Sequence, residues 1–586
     1  GLTGQLYQQF ALTIAATTVF STLNALTLSP ALGALVLRPS PAHRNPLFRS
    51  FNRLIERSTK VYSRTVGLIL RRSAFMLLIY VAIVAMAGWG MMFLPTGFLP
   101  QEDQGLLFTN IQLPDAASQE RTREVMEQVN EILMNTPGIE HATALGGFSL
   151  LTGTNASNAA TFFISLTPWA ERQTPQLQSD AIVGRLFAQY QQIQEAIILP
   201  FAPPAISGLG NASGFDLRLQ DRGGVGLAAL QQLAQEIAQD GNAQTGLTGL
   251  YSSFRANEPQ LYADVDRVKA KTLDIPLSTV FGTLSAYLGS AYVNDFNKFG
   301  RTYQVRVQAD PAFRSEPEDI KRLDVRARQG EMIPLGTLLT VEESFGPQIV
   351  TRYNLYPSAS ITGQAAPGYS SGAALTMMEQ MVNQKLPPAM GFEWTGVAYQ
   401  EKQVGSETML IFALAILLVY LVLAAQYESW TSPTAIILAV PLALLGTVIA
   451  LMMRSMDNNT YVQIGIVLLI ALASKNAILI VEFARENRAA GQGVVDAALN
   501  ASRLRFRPIL MTACSTLLGM VPLVIASGAG AAGRQALGTA VFGGLVAATV
   551  LVILFAPLLY VVMQRLSERR SPIQESQSSL TDDIQG

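Results

Sequence analysis

Seven long apolar segments limit the possible folds of this chain more than any other feature of its sequence. A helix needs about 20 consecutive, mostly apolar residues to cross the hydrocarbon core of a bilayer, which is about 30 Å thick. Segments that meet this requirement lie at roughly 10–37, 74–96, 406–426, 432–453, 461–484, 508–528 and 535–563. The sequence therefore predicts a polytopic α-helical membrane protein with about seven spans.

Composition agrees with a membrane protein and argues against other classes. Only 14% of the 586 residues are charged, whereas soluble proteins contain about 25%. Cys514 is the single cysteine, which excludes an internal disulfide framework. His43 and His141 lie far apart in sequence and give no basis for a zinc site. The formal net charge of −1 gives no reason to expect a nucleic-acid partner.

Basic residues near the span ends predict the orientation in the membrane. The connection between the first two spans contains nine basic residues and one acidic residue. Further arginines follow the fifth and seventh spans, at Arg485, Arg488, Arg503, Arg505, Arg507, Arg565, Arg569 and Arg570. Seven crossings place these three connections on one side, and basic flanks of this kind favour the cytoplasm. The N-terminus and the segment 97–405 are then expected on the opposite side.

The basic connection also contains an apolar pattern. Phe48, Phe51, Leu54 and Ile55 lie among its arginines. This pattern predicts an amphipathic helix over about 44–66 that lies on the cytoplasmic surface of the membrane. A solvated basic linker is the alternative interpretation.

The large segment between the second and third spans shows two rounds of one order of strands and helices. The first round, at about 100–210, has the order strand, helix, strand, strand, helix, strand, which is the split βαβ sandwich. The second round, at 211–403, has the same order but is interrupted by an insertion at roughly 259–345. Alternation around a central glycine at 292–310 predicts a projecting β-hairpin within the insertion. We therefore expect a large α+β domain of βαββαβ modules.

Four motifs connect these elements with a known family. They are "LPTGFLPQEDQG" at 94–105, "AYVNDF" at 291–296, "SKNAILIVEFA" at 474–484 and "RLRFRPILMTA" at 503–513. In sequence and order they resemble the resistance-nodulation-division (RND) transporters, and most of all the hydrophobe/amphiphile multidrug exporters of Gram-negative inner membranes. The resemblance extends over essentially the whole chain.

The resemblance implies that a further half of the transporter is missing. Such exporters consist of two repeated halves, and this chain corresponds to the last span of the first half and the entire second half. The chain also begins without a start methionine directly before a span, and its odd number of spans leaves its ends on opposite faces. We therefore expect a fragment, or one part of a two-chain transporter, that does not pump alone.

The resemblance also assigns roles to the segments and names partners. It implies a homotrimer in the inner membrane with a periplasmic domain, which works with a periplasmic adaptor, an outer-membrane channel and lipophilic small-molecule substrates. The implied segments are a first span at 1–38, a cytoplasmic basic linker at 39–73, a span at 74–98, a porter subdomain at 99–210, a second porter subdomain at 211–258 and 346–403, a funnel or docking insertion at 259–345, five spans at 404–566 and a cytoplasmic tail at 567–586.

Lys475 lies well inside the predicted span 461–484. A charged side chain at mid-bilayer costs about 2.5–3.5 kcal/mol, so it normally has a function and a polar partner. Snorkelling of the lysine to an interface is the alternative. No Asp or Glu lies deep within the predicted spans, and Glu482 is closer to a span end. By the resemblance, Lys475 pairs with two adjacent aspartates in the missing half and takes part in a proton relay.

Three further residues belong to the implied relay. Arg505 and Thr512 match relay positions on the following span, and their spacing of seven places them on one helix face. Asn476 adjoins the lysine. A positive-inside anchor is the alternative for Arg505, and a hydrogen bond to its own helix backbone is the alternative for Thr512. Protons would then be the coupling ion, and no metal or other cofactor is expected.

A glycine- and serine-rich stretch at 145–158 is interpreted as a mobile loop between two strands. By the resemblance it is the switch loop between two drug pockets, with Gly146, Gly147, Phe148 and Gly153 as its key residues. Core packing is the alternative for each pocket residue, as it is for the helical methionines Met377, Met378 and Met381. The implied pocket residues are Leu106, Phe108, Phe148, Leu150, Phe163, Phe201 and Arg255.

Aromatic content sets this predicted pocket apart. Thr143, Leu150 and Leu199 occupy positions where well-known members of the family have phenylalanine, so the pocket is expected to be less aromatic.

The favoured function is that of a drug/proton antiporter subunit. A membrane enzyme lacks a visible nucleophile–base pair or metal cluster in the sequence. An RND transporter of metals or lipids and a membrane-anchored interaction protein that transports nothing are the alternatives. Lys475 argues against the last of these, because a scaffold has no need for a costly charge in a span.

Overall fold

The structure, a computed structural model, describes residues 2–36 and 46–570. Residues 37–45, which include the end of the predicted first span and the beginning of the basic linker, and residues 571–586 of the predicted tail lie outside the described residues. The chain begins with four helices: α1 (Leu2–Leu26), α2 (Leu28–Val36), α3 (Pro46–Arg71) and α4 (Ser73–Phe93).

Helix α3 is the predicted amphipathic helix. Tyr62, Val66 and Leu70 lie on its buried face. The Tyr62 hydroxyl donates a hydrogen bond to the Ile553 carbonyl (2.9 Å), and its ring stacks on Phe506 with centroids 4.5 Å apart. The helix is therefore anchored on the helical bundle, and the alternative of a solvated linker was wrong for residues 46–71.

The first α+β module follows α4. Its elements are β1 (Leu106–Gln112), α5 (Gln119–Met134), β2 (Ile139–Ser149), β3 (Thr154–Leu166), α6 (Ser179–Tyr190) and β4 (Ile197–Phe201). They form an antiparallel sheet of order β2-β3-β1-β4. Both helices cover one face, where alternate strand residues such as Leu107 and Phe162 pack against Val125 and Leu186 of the helices. The other sheet face is free of helices from this module.

The second module begins in the same way and is then interrupted. Its first elements are β5 (Phe215–Asp221), α7 (Leu227–Asn242) and β6 (Leu247–Ser252). The insertion that follows contains β7 (Glu258–Val265), α8 (Arg267–Thr272), α9 (Leu277–Leu284), β8 (Ala291–Lys298), β9 (Arg301–Val307), α10 (Pro317–Arg322), β10 (Asp324–Arg326), β11 (Met332–Pro334) and β12 (Leu339–Gly346). Strands β7 and β12 pair as an antiparallel ribbon, β8 and β9 form the predicted hairpin, and the insertion has its own apolar core.

The second module then resumes. Its remaining elements are β13 (Arg352–Tyr353), β14 (Tyr356–Ala365), α11 (Ser371–Lys385) and β15 (Met390–Thr395). Strand β14 pairs with β6 and β5, and β5 pairs with β15, so the order β6-β14-β5-β15 repeats that of the first module. Met378 and Met381 are buried in the core of this module.

The remaining helices complete the membrane part. They are α12 (Gly396–Tyr427), α13 (Thr431–Ile437), α14 (Val440–Met453), α15 (Thr460–Ala489), α16 (Val494–Val524), α17 (Ala531–Ala547) and α18 (Ile553–Arg570). Within the described residues, seven helical segments are long and apolar enough to cross a membrane. The prediction of a polytopic membrane protein with a large α+β part is therefore confirmed.

Small residues bring the membrane helices close together. A side chain on Gly446 of α14 would overlap the Gly543 carbonyl of α17. Thr447 donates a hydrogen bond to the Ala540 carbonyl across the same contact (2.9 Å). Close packing of small residues and interhelical hydrogen bonds are the usual means of holding helices together in lipid, where the hydrophobic effect between helices is absent.

Candidate functional site

Lys475 lies on the outer surface of the described bundle. It belongs to α15, where its neighbours Ser474 and Asn476 are buried while the lysine side chain is exposed. No ion pair within 4 Å joins Lys475 to a carboxylate in residues 2–36 or 46–570. The helices that pack on α15 in the described chain therefore leave the side of this helix that carries Lys475 uncovered, and the pairing of Lys475 with two aspartates outside this chain stays a prediction.

The side-chain amide of Asn476 is buried without a hydrogen-bond partner for its nitrogen. The residue is 4% exposed, and Asn476 Nδ2 has no hydrogen-bond partner among the described residues. Ser474, on the other side of the lysine, donates to the Ile470 carbonyl one turn earlier (2.7 Å). A buried amide without a partner costs about 1–3 kcal/mol, so this end of the cluster is incomplete in the described chain.

Arg505 is held against α15 by an aromatic ring. Its guanidinium carbon lies 3.4 Å from the centroid of the Phe483 ring, and its Nε is buried without a hydrogen-bond partner in the described part of the chain. A cation over an aromatic face is favourable, most of all away from water. Phe483 belongs to the motif at 474–484, but no pattern in the sequence distinguishes it from its neighbours.

Thr512 is exposed on α16, and its hydroxyl donates to the Ile509 carbonyl (3.0 Å). No hydrogen bond connects Thr512 with Arg505 or Lys475 among the described residues. Exposed apolar residues flank it at intervals of seven, at Leu504, Met511 and Leu518. We call the uncovered surface formed by Lys475 of α15 and by Leu504, Met511, Thr512 and Leu518 of the adjoining α16 the lysine face.

Three of the implied pocket phenylalanines form one cluster on the first module. Phe108 contacts Phe163 and Phe201, with ring centroids 5.4 Å and 5.8 Å apart. The three residues are paired in register across β3, β1 and β4. Phe163 is 36% exposed, whereas its neighbour Phe162 is fully buried in the core. Phe108 and Phe163 therefore lie on the helix-free side of the sheet, and Leu106 at its edge is 43% exposed.

The predicted loop at 145–158 is mostly strand, so that prediction was wrong. Strand β2 continues to Ser149 and β3 begins at Thr154. Gly146, Gly147 and Phe148 belong to β2, where the register shifts between Gly146 and Phe148. Gly147 has φ = 79°, a conformation that favours glycine, so the glycines permit a β-bulge rather than a long mobile loop.

The end of this hairpin folds back onto the aromatic side of the sheet. The Leu150 amide donates to the Thr161 hydroxyl, which donates to the Phe148 carbonyl (both 3.0 Å). The Ser149 hydroxyl donates to Asn110 Oδ1 (3.1 Å). Asn110 and Thr161 are register partners on the sheet. The hairpin thus borders the phenylalanine cluster, with Phe148 and Leu150 half-buried at its end and Gly153 in the turn.

A comparison with known proteins places the whole arrangement in a family. The family model described as AcrB/AcrD/AcrF matches residues 1–564. The chain belongs to the AcrB/AcrD/AcrF family. It is therefore an RND protein, as its motifs indicated.

Similar curated proteins are efflux transporters. The toluene efflux pump membrane transporter TtgB of Pseudomonas putida is 40% identical over 583 residues, which cover 98% of this chain and 55% of that protein. The multidrug export protein AcrF of Escherichia coli is 40% identical over 575 residues, covering 96% of this chain and 55% of AcrF. The multidrug resistance protein MdtF of Escherichia coli is 39% identical over 97% of this chain. The chain spans about half the length of these relatives.

In this AcrB/AcrD/AcrF family member, Arg255 links the two modules. Its Nε lies 3.8 Å from a carboxylate oxygen of Asp115, which follows β1. Arg255 Nη1 donates hydrogen bonds to the Ser252 and Phe254 carbonyls (2.9 and 3.0 Å). Burial and the negative charge of Asp115 raise the pKa of the Glu258 carboxyl nearby. Arg255 therefore belongs to a charged contact between the two modules. It is not one of the residues that form the ring cluster of Phe108, Phe163 and Phe201.

Proposed function

We propose that this chain forms part of a proton-driven exporter of amphiphilic or hydrophobic compounds. The observation that carries the proposal is Lys475, a cation on a membrane span with an uncovered side chain and no carboxylate partner within the described residues. Exposure to lipid at this depth costs about 2.5–3.5 kcal/mol or more. A partner surface that carries carboxylates would remove this cost and complete the site.

The partner surface would come from the remaining half of the transporter. Relatives in the AcrB/AcrD/AcrF family are about twice the length of the matched region. In the proposed mechanism, ionised carboxylates of that half pair with Lys475 across the lysine face. Proton uptake neutralises a carboxylate and releases the lysine, which then turns toward Asn476 or Thr512. Arg505, held by Phe483, keeps a positive charge at the adjoining end of the cluster.

The first module supplies the proposed substrate surface. Binding sites for lipophilic compounds are mostly apolar and contain few fixed polar groups. The cluster of Phe108, Phe163 and Phe201 provides apolar surface on a sheet face without helices, and the hairpin that ends at Phe148 and Leu150 borders it. Relatives are named for the efflux of toluene, antibiotics and multiple drugs. These names support lipophilic small molecules as the substrates of this protein.

The assembly and location follow from the same proposal. We assign the modules at 99–210 and at 211–258 with 346–403 as porter subdomains in the periplasm, and the insertion at 259–345 as the docking part. The complete protein would be a homotrimer in a bacterial inner membrane that operates with a periplasmic adaptor and an outer-membrane channel.

Replacement of the lysine tests the proposal. The chain is co-expressed with the matching half of a close relative in a pump-deficient strain, and drug resistance and drug-dependent proton flux are measured. Lys475→Met should abolish both, because the switching charge is lost, while the amount of protein in the membrane stays unchanged. Lys321→Met is the matched control, since Lys321 pairs with Glu318 on an exposed helix of the insertion. Normal resistance and proton flux in Lys475→Met would refute the relay.

A further inference from the structure

Four chain segments cross where the second module meets the membrane helices. The Gly372 amide at the start of α11 donates to the Thr96 carbonyl in the segment that follows α4 (3.1 Å). The Asn458 amide, between α14 and α15, donates to the Pro95 carbonyl of that same segment (2.7 Å). The fourth segment is the start of α12. We call this crossing the junction.

Two glycines let the backbones approach closely at the junction. A side chain on Gly97 would overlap the Asp457 carboxylate and would lie 3.3 Å from the Ser371 hydroxyl. A side chain on Gly372 would overlap Thr96 and would lie 3.3 Å from Glu401 Oε1. The carboxyls of Asp457 and Glu401 therefore flank one tightly packed crossing, and little space is left there for solvent.

Neither carboxyl has a cation as its hydrogen-bond partner. Glu401 Oε1 accepts a hydrogen bond from the Ser371 hydroxyl (2.9 Å), and Asp457 Oδ1 accepts one from Asn459 Nδ2 (2.9 Å). The nearest lysine to these carboxyls in sequence is paired with another acid. Lys402 is next to Glu401 in sequence, but its ammonium pairs with Glu379 (2.7 Å).

The arginine that follows α14 points away from the junction. Arg454 ends α14, and its guanidinium donates to the Val524 carbonyl and to Gln535 on α16 and α17 (3.0 and 3.1 Å). Glu102 is occupied as well, because its carboxylate accepts hydrogen bonds from the Ala532 and Gly533 amides at the start of α17 (3.1 and 2.6 Å). Glu401 and Asp457 are thus left as a half-buried pair of like charge.

We propose that Glu401 and Asp457 form a proton-binding pair that locks the second module to the membrane helices when it holds a proton and loosens this contact when it releases the proton. The pair is separate from Lys475, which lies within the span of α15. Its role in transport rests on the proposed function, whereas its proton binding does not.

The electrostatics of the pair agree with this assignment. Burial, together with the negative charge of Asp457, raises the pKa of the Glu401 carboxyl to about 7, although the Ser371 hydrogen bond opposes the change. Burial also raises the pKa of Asp457. The closed junction therefore holds a proton at a pH where a solvated Glu is ionised.

The direction of the pH effect follows from linkage. Below the ordinary value of 4.5 for Glu, the carboxyl is protonated whether the junction is closed or open, so closure carries no penalty. Between 4.5 and about 7, opening allows the carboxyl to release its proton, and the closed contact weakens steadily as the pH rises. Above that range the penalty stays constant. Acidification of the module side would therefore tighten the junction.

An infrared titration of the 586-residue chain in detergent micelles tests the proton binding without any transport. Protonated carboxyls have a carbonyl band that carboxylates lack, and the difference between wild type and Glu401→Gln isolates the band of Glu401. We expect this band to disappear with a midpoint near pH 7. A midpoint near the ordinary 4.5 would overturn the proposal.

Two further variants should move the midpoint in opposite directions. Asp457→Asn removes the neighbouring negative charge and should lower the midpoint, whereas Ser371→Ala removes a hydrogen bond to the ionised carboxylate and should raise it. Glu393→Gln, at a carboxylate paired with Arg222 on the second module (3.0 Å), is the matched control and should leave the band unchanged. A midpoint that responds to neither Asp457→Asn nor Ser371→Ala would refute the pair.

Deuterium exchange tests the locking separately. After correction for the intrinsic pH dependence of exchange, the Gly372 and Asn458 amides should exchange more slowly below the midpoint than above it in the wild type. Glu401→Gln stays neutral and should give slow exchange at both pH values. Equal wild-type exchange on the two sides of the midpoint would show that the pair binds a proton without locking the junction, and would overturn that part of the proposal.

Discussion

The two α+β modules have one topology and opposite chemistry on their helix-free sheet faces. On the first module, Phe108 contacts Phe163 and Phe201. On the second, the central strand β5 carries Asp216 and Arg218, which form an ion pair at 2.8 Å. Both sheets bury alternate strand residues beneath two helices in the same way.

This difference supports the first module as the proposed substrate surface. The buried residues of each strand determine that the module folds, while the residues between them are free to vary. On β14 of the second module, Ser360 donates a hydrogen bond to Asp216 (2.6 Å), so the polar groups of this face bond to one another, although Arg218 Nε has no hydrogen-bond partner among the described residues. The first module offers apolar surface instead, which agrees with its proposed role as the substrate surface.

The strongest test of the comparison uses two neighbouring phenylalanines of β3. Phe162→Ala should lower the free energy of unfolding of the first module by about 3–5 kcal/mol, because Phe162 is part of the core. Phe163→Ala should lower it by less, about 0.5–1.5 kcal/mol, because this partly exposed ring loses mainly its contact with Phe108. Denaturant-dependent proteolysis of the full chain in micelles measures both. Equal losses would show that both rings belong to one core.

The hairpin beside the aromatic face gives the next largest effect. Gly147→Ala places a side chain at φ = 79° and should destabilise the first module by about 1–3 kcal/mol. Gly184→Ala on helix α6 is the matched control, since its added methyl group meets open space. That variant should stabilise the module by about 0.5–1 kcal/mol. The same proteolysis assay compares the two, and a neutral Gly147→Ala would contradict the strained bulge.

Ligand binding should show the smallest effect and the sharpest contrast between modules. Phe108→Ala removes the ring at the centre of the cluster and should weaken binding of a lipophilic fluorescent dye by about two- to tenfold, which corresponds to about 0.5–1.5 kcal/mol. Ser360→Ala, on the polar face of the second module, should leave the dye affinity unchanged. Equal losses in both variants would remove the distinction between the faces.

Local patterns were sufficient to predict the spans and the order of elements in both modules. Apolar length marks a membrane helix, and alternation marks a strand, without knowledge of any distant contact. Alternation along β3 places Phe162 and Phe163 on opposite faces, but it does not decide which of them is buried. That choice depends on the register of β3 with β1 and β2, and a shift by one residue would exchange the two faces.

One prediction failed because the deciding contacts are distant in sequence. The glycines at 146 and 147 indicated a loop, yet Thr161 and Asn110 hold the hairpin against the sheet through hydrogen bonds. The environment of Lys475 could not be predicted either, because it depends on which helices cover α15. Glu401 and Asp457 drew no attention for the same reason, since their proximity arises only at the junction.

The insertion in the second module has a consequence for how the chain folds. Strand β6 must pair with β14, and the register joins Ser252 with Ile361, whereas the equivalent strands β2 and β3 of the first module are joined by a short turn. Pairing of distant segments requires a large loop to close first, which slows folding. We therefore expect the first module to fold early and the second to wait until β7–β12 have collapsed around their own core. During that delay the edge of β5 lacks its neighbour, and this strand is the part of the nascent chain most exposed to aggregation.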